Sequence, residues 1–202
     1  MAPLDALLIA GGYVAGAVPW GVILGKAFQG RDLRDHGSGG TGSTNALRVL
    51  GWRISLLVLV LDFLKGFVPV IMSRALGVGG WSLTAVGIAA TVGHCWSLFI
   101  GFRGGKGVAT GAGAAIALVP WLLLVLPLMV AIVALTRYVS LASIAGCLTA
   151  CFVMILAAAD GRGTWSAVGL VLGVTIIVVV QHRSNVQRLL TGTERRFGES
   201  AT

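Results

Sequence analysis

Charge is what this sequence has least of. Only 11% of its 202 residues are Asp, Glu, Lys or Arg, whereas a soluble domain carries roughly 25%. With 56% hydrophobic residues and a mean hydropathy of +0.93, that scarcity excludes a separate soluble domain. The expectation is one integral membrane domain over residues 1–202. Acidic residues are the scarcest, seven against fifteen Lys and Arg, for a net charge of +8. The basic residues sit in short loops and the aromatics in apolar segments, so the excess reads as cytoplasmic-loop bias plus an anionic ligand, with no nucleic-acid partner. Three cysteines in apolar surroundings cannot frame a disulfide fold. Cys147 and Cys151 share a helix face, but no His or acid accompanies them, so neither a metal nor another cofactor is expected. The N-terminus lacks the basic region and cleavage site of a signal peptide, and its first apolar segment is expected to stay as a span.

What is present is a series of apolar runs divided by short polar stretches. Leu4–Gly25 is a first span, with Pro19 near its far end. Lys26, Arg31 and Arg34 follow and mark the cytoplasmic side, which puts the N-terminus outside. Trp52–Met72 is a second span, and Asp62 and Lys65 within it must face the protein interior. Trp81–Ile100 returns to the cytoplasmic side. Val108–Leu135 contains Pro120 and Pro127; read as one span, it would carry the basic C-terminal region outside. Read as a broken or re-entrant pair, it keeps Arg137 inside. Val139–Ala159 then goes out, Asp160–Gly163 turns, and Thr164–Gln181 comes back. Charge parity favours the broken pair. The expected fold is therefore all-α, with about seven transmembrane or membrane-embedded helices, the N-terminus outside and the C-terminus cytoplasmic.

Three polar clusters stand at the ends of these runs. The first, Gly37–Arg48, contains a formal G-x-G-x-x-G at Gly37, Gly39 and Gly42. It follows a charged loop and precedes a membrane helix, so it is no dinucleotide fingerprint. Its glycines can still turn successive N–H groups into one anion-binding concavity. Ser43, Thr44 and Asn45 suit the N-cap of the next helix, whose positive end would face the anion, and Arg48 can fork onto phosphate oxygens. The second cluster, Gly93–Gly113, holds His94 and Gly104-Gly105-Lys106-Gly107. It is not a nucleotide-binding P-loop, because Ile100 stands at the leading Gly position and Gly107 where Ser or Thr would hold magnesium. Lys106 reads as a point charge exposed by glycines for a phosphate. His94 is either a satisfied core histidine or a substrate contact. The third cluster, His182–Glu194, places His182 and Asn185 on one face of a helical turn. Arg183, Arg188, Arg195 and Arg196 fit a bland tethering to anionic lipid.

Together these clusters resemble the motifs of the bacterial membrane glycerol-3-phosphate acyltransferases that use acyl phosphate as donor (the PlsY family). Ser38-Gly-Gly-Thr-Gly-Ser-Thr-Asn45-Ala-Leu-Arg48 is similar to the first motif, although Gly40-Thr41 departs from its usual residues. Gly93-His94 through Gly-Gly-Lys106-Gly-Val-Ala-Thr110 matches the second, with Trp96-Ser97 where Phe-Pro is common. His182-Arg-x-Asn185-x-x-Arg-Leu-x-x-Gly192-x-Glu194 matches the third. The resemblance covers essentially the whole chain. It implies acyl transfer from acyl phosphate to the 1-hydroxyl of sn-glycerol 3-phosphate, giving lysophosphatidic acid and phosphate, in the cytoplasmic (inner) membrane with the site facing the cytoplasm. It implies that Ser38, Arg48 and Lys106 hold the acceptor phosphate. The loop of Gly39, Gly40, Thr41, Gly42, Ser43, Thr44 and Asn45 would cradle the donor phosphate. His94, His182 and Asn185 would be the catalytic residues that orient the substrates, with one or both of Ser140 and Ser143 contributing. The implied partners are glycerol 3-phosphate, acyl phosphate and membrane lipid, with the soluble enzyme that makes acyl phosphate as a further candidate.

The residues fit that chemistry. None of His36, His94 or His182 has Asp five positions on, as soluble-domain glycerol acyltransferases do, and no Ser or Cys has an evident His–acid pair. Positioning and charge neutralisation are left to do the work. The rival class is a carrier or channel for organic phosphates, which also uses broken helices and anion-holding helix starts. No inverted repeat supports it. A structural scaffold would not need Arg48 and Lys106 beside glycine nests.

Overall fold

The computed structural model describes residues 2–199. Ten α-helices run in order: α1 Pro3–Ala17, α2 Trp20–Gln29, α3 Ser43–Leu50, α4 Trp52–Ala75, α5 Gly80–Cys95, α6 Val108–Leu118, α7 Leu126–Thr136, α8 Val139–Ala159, α9 Trp165–Gln181 and α10 Arg183–Leu190. No strand occurs among the described residues. Four stretches are long and apolar enough to cross a bilayer: Pro3–Gln29, Trp52–Ala75, Gly80–Ile100 and Val139–Ala159. A fifth, Trp165–Gln181 with Arg183–Leu190, bends by 59° at His182.

The first span breaks where its sequence requires. Pro19 biases the residue before it toward extended backbone, and Val18 takes φ −59° and ψ 118° between α1 and α2. The expected interruption of 108–135 is present but occurs once. Val119 leaves the helix at φ −136° ahead of Pro120. Pro127, also expected to interrupt, instead sits in the first turn of α7, where its missing N–H breaks no helical bond. At 11 residues, α6 is about 16 Å long, half of what a bilayer core requires.

The helices pack backbone to backbone through glycine. A Cβ on Gly16 would collide with the Ala90 carbonyl, and one on Gly93 with that of Tyr13, which joins α1 to α5. Gly66 and Gly113 meet the carbonyls of Thr110 and Phe63 in the same way, joining α4 to α6. Such approach replaces hydrophobic drive, which is absent between helices in lipid. The outer faces remain apolar: Leu57, Val68 and Met72 on α4 and Leu148, Phe152 and Leu156 on α8 are exposed. α7 has no buried residue at all, and an all-apolar helix so placed needs lipid around it.

Asp62 and Lys65 do face inward, as expected. Both are buried, and Lys65 Nζ lies 2.9 Å from Asp62 Oδ1.

Candidate active site

All three polar clusters converge on one cavity of about 1100 Å³. Its polar end is formed by the loop before α3, the Gly104–Gly107 loop before α6, the start of α8 and the α9–α10 bend. Its remaining wall is apolar and includes Leu122, Leu126 and Met129 from the α6–α7 region.

The first cluster is shaped by Asn45. Its Oδ1 accepts from Ser38 N at 2.9 Å, and its Nδ2 donates to the carbonyls of Leu33, His36 and Gly40 at 3.0, 3.1 and 2.9 Å. The expected N-cap role of Ser43, Thr44 or Asn45 does not hold. Gly42 is the N-cap, with no side-chain bond, and these three residues form the first helical turn. Asn45 is instead turned back into the preceding loop, so close that a Cβ on Gly37 would strike its Oδ1. The backbone N–H groups from Gly40 to Thr44 donate to no other group among the described residues, leaving an anion-binding helix start. Ser38, Gly40, Gly42, Ser43, Thr44, Asn45 and Arg48 line the cavity. Gly39 and Thr41 do not. Gly39 is exposed at the loop tip with φ +70°, and Thr41 is buried with its carbonyl pressed on Gly21.

The second and third clusters meet directly. Lys106 Nζ donates to Asn185 Oδ1 at 2.6 Å, and Asn185 Nδ2 donates to Glu194 Oε1 at 2.6 Å. Glu194 also accepts from Ser140 Oγ at 2.8 Å and from Arg188 Nε at 2.7 Å. Burial pushes the Glu194 carboxyl up, but the bonds from Asn185, Ser140 and Arg188 outweigh it and hold it below its ordinary value. Burial lowers Lys106 to about 8, with Arg188 and Arg48 nearby adding to the effect and Glu194 opposing it. Burial lowers His182 to about 4, assisted by Lys106, so its ring is neutral near pH 7. Its Nδ1 lies 2.8 Å from the Val178 carbonyl, which makes Nδ1 the protonated nitrogen and leaves Nε2 an acceptor. Burial also lowers Arg48, with Arg195 second, yet a guanidinium stays charged.

Ser140 and Ser143 both line the cavity, one engaged by Glu194 and the other donating to its own helix at Val139 O, 2.8 Å away. His94 is buried on the same wall. Ser97, the departure from the usual Phe-Pro pair, donates to the Ala17 carbonyl at 2.5 Å and so ties this loop to α1.

Sequence reasoning left three contributors unassigned. Glu194 is the acceptor that joins the tail to α8 and α10. Arg188 is its ion partner, and Arg195 borders the cavity; neither is merely a lipid tether. Arg196 instead lies over the Tyr138 ring at 5.9 Å. The signal for Glu194 is an acid placed among Arg188, Arg195 and Arg196. Nothing local distinguished Arg188 from Arg183. Arg137 Nη2 donates to Phe197 O at 2.8 Å, and Phe197 N to Arg137 O at 2.6 Å. The residues flanking α6 and α7 thus both contact the C-terminal region, Lys106 through Asn185 and Arg137 through Phe197.

A lipid-facing helical bundle with cations and unpaired N–H groups at one end, opening onto an apolar wall, defines a multi-pass membrane protein that can hold anionic and aliphatic groups together. The sequence profile described as "Glycerol-3-phosphate acyltransferase" matches residues 6–192. The chain belongs to the glycerol-3-phosphate acyltransferase family. Its curated relatives include the glycerol-3-phosphate acyltransferases of Rubrobacter xylanophilus, 45% identical over 96% of both chains, and of a Thermus thermophilus strain, 43% identical over 93% of this chain and 92% of that one. Among solved structures it resembles PlsY (YgiH), an integral membrane glycerol 3-phosphate acyltransferase, in its glycerol 3-phosphate form. That likeness has a TM-score of 0.89 at 38% identity over 96% of both chains. The lysophosphatidic acid form of the same protein gives 0.88 at 36% identity.

Proposed function

We propose that this protein transfers a fatty acyl group from acyl phosphate to the 1-hydroxyl of sn-glycerol 3-phosphate, with the whole chain acting as one catalytic domain in the cytoplasmic membrane. The observation that carries this reading is the single cavity in which Ser38, Arg48, Lys106, Asn185 and Arg188 stand at one end and an aliphatic wall continues from them. A donor with a phosphate head and a hydrocarbon tail fits across that boundary. A small phosphorylated acceptor fits only the polar end.

Arg48, Lys106 and Ser38 hold the acceptor phosphate by charge-assisted bonds. The free N–H groups from Gly40 to Thr44, kept in place by the Asn45 side chain, receive the donor phosphate. The acceptor hydroxyl oxygen attacks the acyl carbon, the bond from that carbon to the phosphate oxygen breaks, and the hydroxyl proton passes to the departing phosphate. The products are lysophosphatidic acid and inorganic phosphate. Acyl phosphate is a mixed anhydride, so the chain needs to supply proximity and charge neutralisation rather than a nucleophile. His182 and His94 orient polar groups of the substrates, and Asn185 transmits the position of Lys106 to the tail.

The cationic clusters all gather at the end of the bundle that carries the basic tail, which supports a cytoplasmic site and an external N-terminus. Glu199→Cys is expected to react with an impermeant thiol reagent only after the cytoplasmic side is opened, and Gly161→Cys in intact cells; the reverse pattern sinks the orientation. The activity is tested by mixing detergent-solubilised protein with glycerol 3-phosphate and acyl phosphate, acyl-CoA or acyl carrier protein, then following phosphate release and labelled lysophosphatidic acid. Turnover with acyl phosphate alone is expected. Turnover with acyl-CoA and none with acyl phosphate overturns the donor assignment.

A further inference from the structure

Asp62 and Lys65 have no part in the roles above, yet a buried ion pair within an apolar helix is costly to retain. Lys65 Nζ binds Asp62 Oδ1 at 2.9 Å and also donates to the Val18 carbonyl at 2.9 Å, at the Pro19 break in the first span. The lysine thereby ties α4 to the break after α1. The carboxylate is not, for Asp62 also lines the cavity.

Across from Asp62 stands His94 of α5. Its Nδ1 is 3.7 Å from Asp62 Oδ1, beyond hydrogen-bond length. That nitrogen is fully buried and has no partner among the described residues. The other edge of the ring faces the second cluster: a Cβ on Gly105 would collide with His94 Nε2. Gly105 N in turn donates to the His94 carbonyl at 3.1 Å, one residue before Lys106. The imidazole thus lies between a buried carboxylate and the loop that carries Lys106, with both neighbours on the cavity wall.

An orphaned buried ring nitrogen facing a carboxylate calls for an explanation. Closing the gap to about 2.8–3.0 Å lets Nδ1–H donate to Asp62. In a neutral ring that leaves the lone pair on Nε2. The same device, a carboxylate that fixes a histidine tautomer, orients imidazoles at metal and hydrolase sites.

We propose that Asp62 is a positioning residue that holds His94 in its Nδ1–H tautomer and so presents Nε2 as a hydrogen-bond acceptor that orients the attacking hydroxyl of the acceptor substrate before its proton passes to the departing phosphate. Lys65 pairs with Asp62 and directs its oxygens. Gly105 is small because the working edge of His94 occupies the space a side chain would take. The identity of the hydroxyl rests on the acyltransferase reading; the tautomer does not.

The primary test is nitrogen NMR of full-length wild-type protein in detergent, with 15N-labelled histidine and His94 assigned by the signals lost in His94→Gln. A protonated Nδ1 and an unprotonated Nε2 are expected, and an Nε2–H ring overturns the proposal. The second test replaces both charges at once, Asp62→Leu with Lys65→Met, so that no lone charge stays buried. This pair gives up the Lys65–Val18 bond, so its thermal midpoint is expected to fall while the protein stays folded, and kcat is expected to drop by about 10–100-fold, the usual cost of losing such a partner, with little change in KM for glycerol 3-phosphate. On a His94→Gln background the same pair should cost less than about threefold, because Asp62 acts through the ring. A pair variant with wild-type kcat, or one equally damaging on the His94→Gln background, overturns the proposal. If the pair variant does not fold, the wild-type tautomer decides alone. A wild-type protein that transfers no acyl group defeats the acyltransferase reading and leaves the tautomer result standing.

Discussion

Lys106 and Asn185 are 79 residues apart in sequence, and their side chains meet at 2.6 Å. This bond joins the glycine loop before α6 to the bend after α9. Through Asn185 and Glu194 it reaches Ser140 on α8. Lys106, the cation proposed to hold the acceptor phosphate, is thus aimed by a polar chain that links a loop and the tail to α10 and α8.

Removing that cation should be felt first in binding. Lys106→Ala is expected to raise KM for glycerol 3-phosphate by about 10–100-fold, from the loss of a charged hydrogen bond worth about 1.5–3 kcal/mol. Initial rates of phosphate release at saturating acyl phosphate measure it. An unchanged KM would mean that the lysine only braces Asn185.

The pH profile follows from two groups. Lys106 titrates near 8 and is competent as the cation, so kcat/KM should fall as pH rises through about 8. Lys106→Arg should move that limb upward, because a guanidinium does not lose its proton. His182, lowered to about 4, is already neutral from pH 5.5 to 9, and no limb near 6.5 should arise from it. The second ionisation of the acceptor phosphate, near 6, supplies the acid limb.

Glu194→Gln tests the tail anchor. The variant loses the Arg188 ion pair and leaves Ser140 and Asn185 on a weaker acceptor, for a cost of about 1.5–3 kcal/mol. Because the Glu194 carboxyl is held below its ordinary value of 4.5, its stabilisation is present above that pH and is lost as pH falls through the lowered value. The difference in thermal midpoint between wild type and variant should therefore shrink in acid. A constant difference from pH 7 to pH 3 would show that charge is not involved.

Helix contact is tested at glycine. Gly66→Ala places a Cβ into the Thr110 carbonyl, and the overpacking is expected to cost about 1–3 kcal/mol. Gly79→Ala is the control, since Gly79 has extended backbone and nothing near its would-be Cβ, and it should stay within about 0.5 kcal/mol of wild type. Thermal midpoints in one detergent compare them; equal midpoints would remove the case for backbone contact between α4 and α6.

Membrane residence, the order of the apolar segments and the polar nature of the three clusters were already decided by the amino-acid sequence alone. They depend on local composition: how many apolar residues run together, where Pro19 and Pro120 interrupt them, and where glycine lies beside Arg48 and Lys106. Even within local structure the sequence misled at two points, because Gly42 rather than Ser43 caps α3 and Pro127 opens a helix instead of breaking one. Only the tertiary structure decided that Glu194 gathers Ser140, Asn185 and Arg188, that Arg195 borders the cavity, and that Asp62 faces His94. Those partners are brought together from separate segments: α8, α10 and the tail around Glu194, and α4 and α5 around Asp62 and His94. No periodicity along one segment records the rotation and depth at which another segment packs against it.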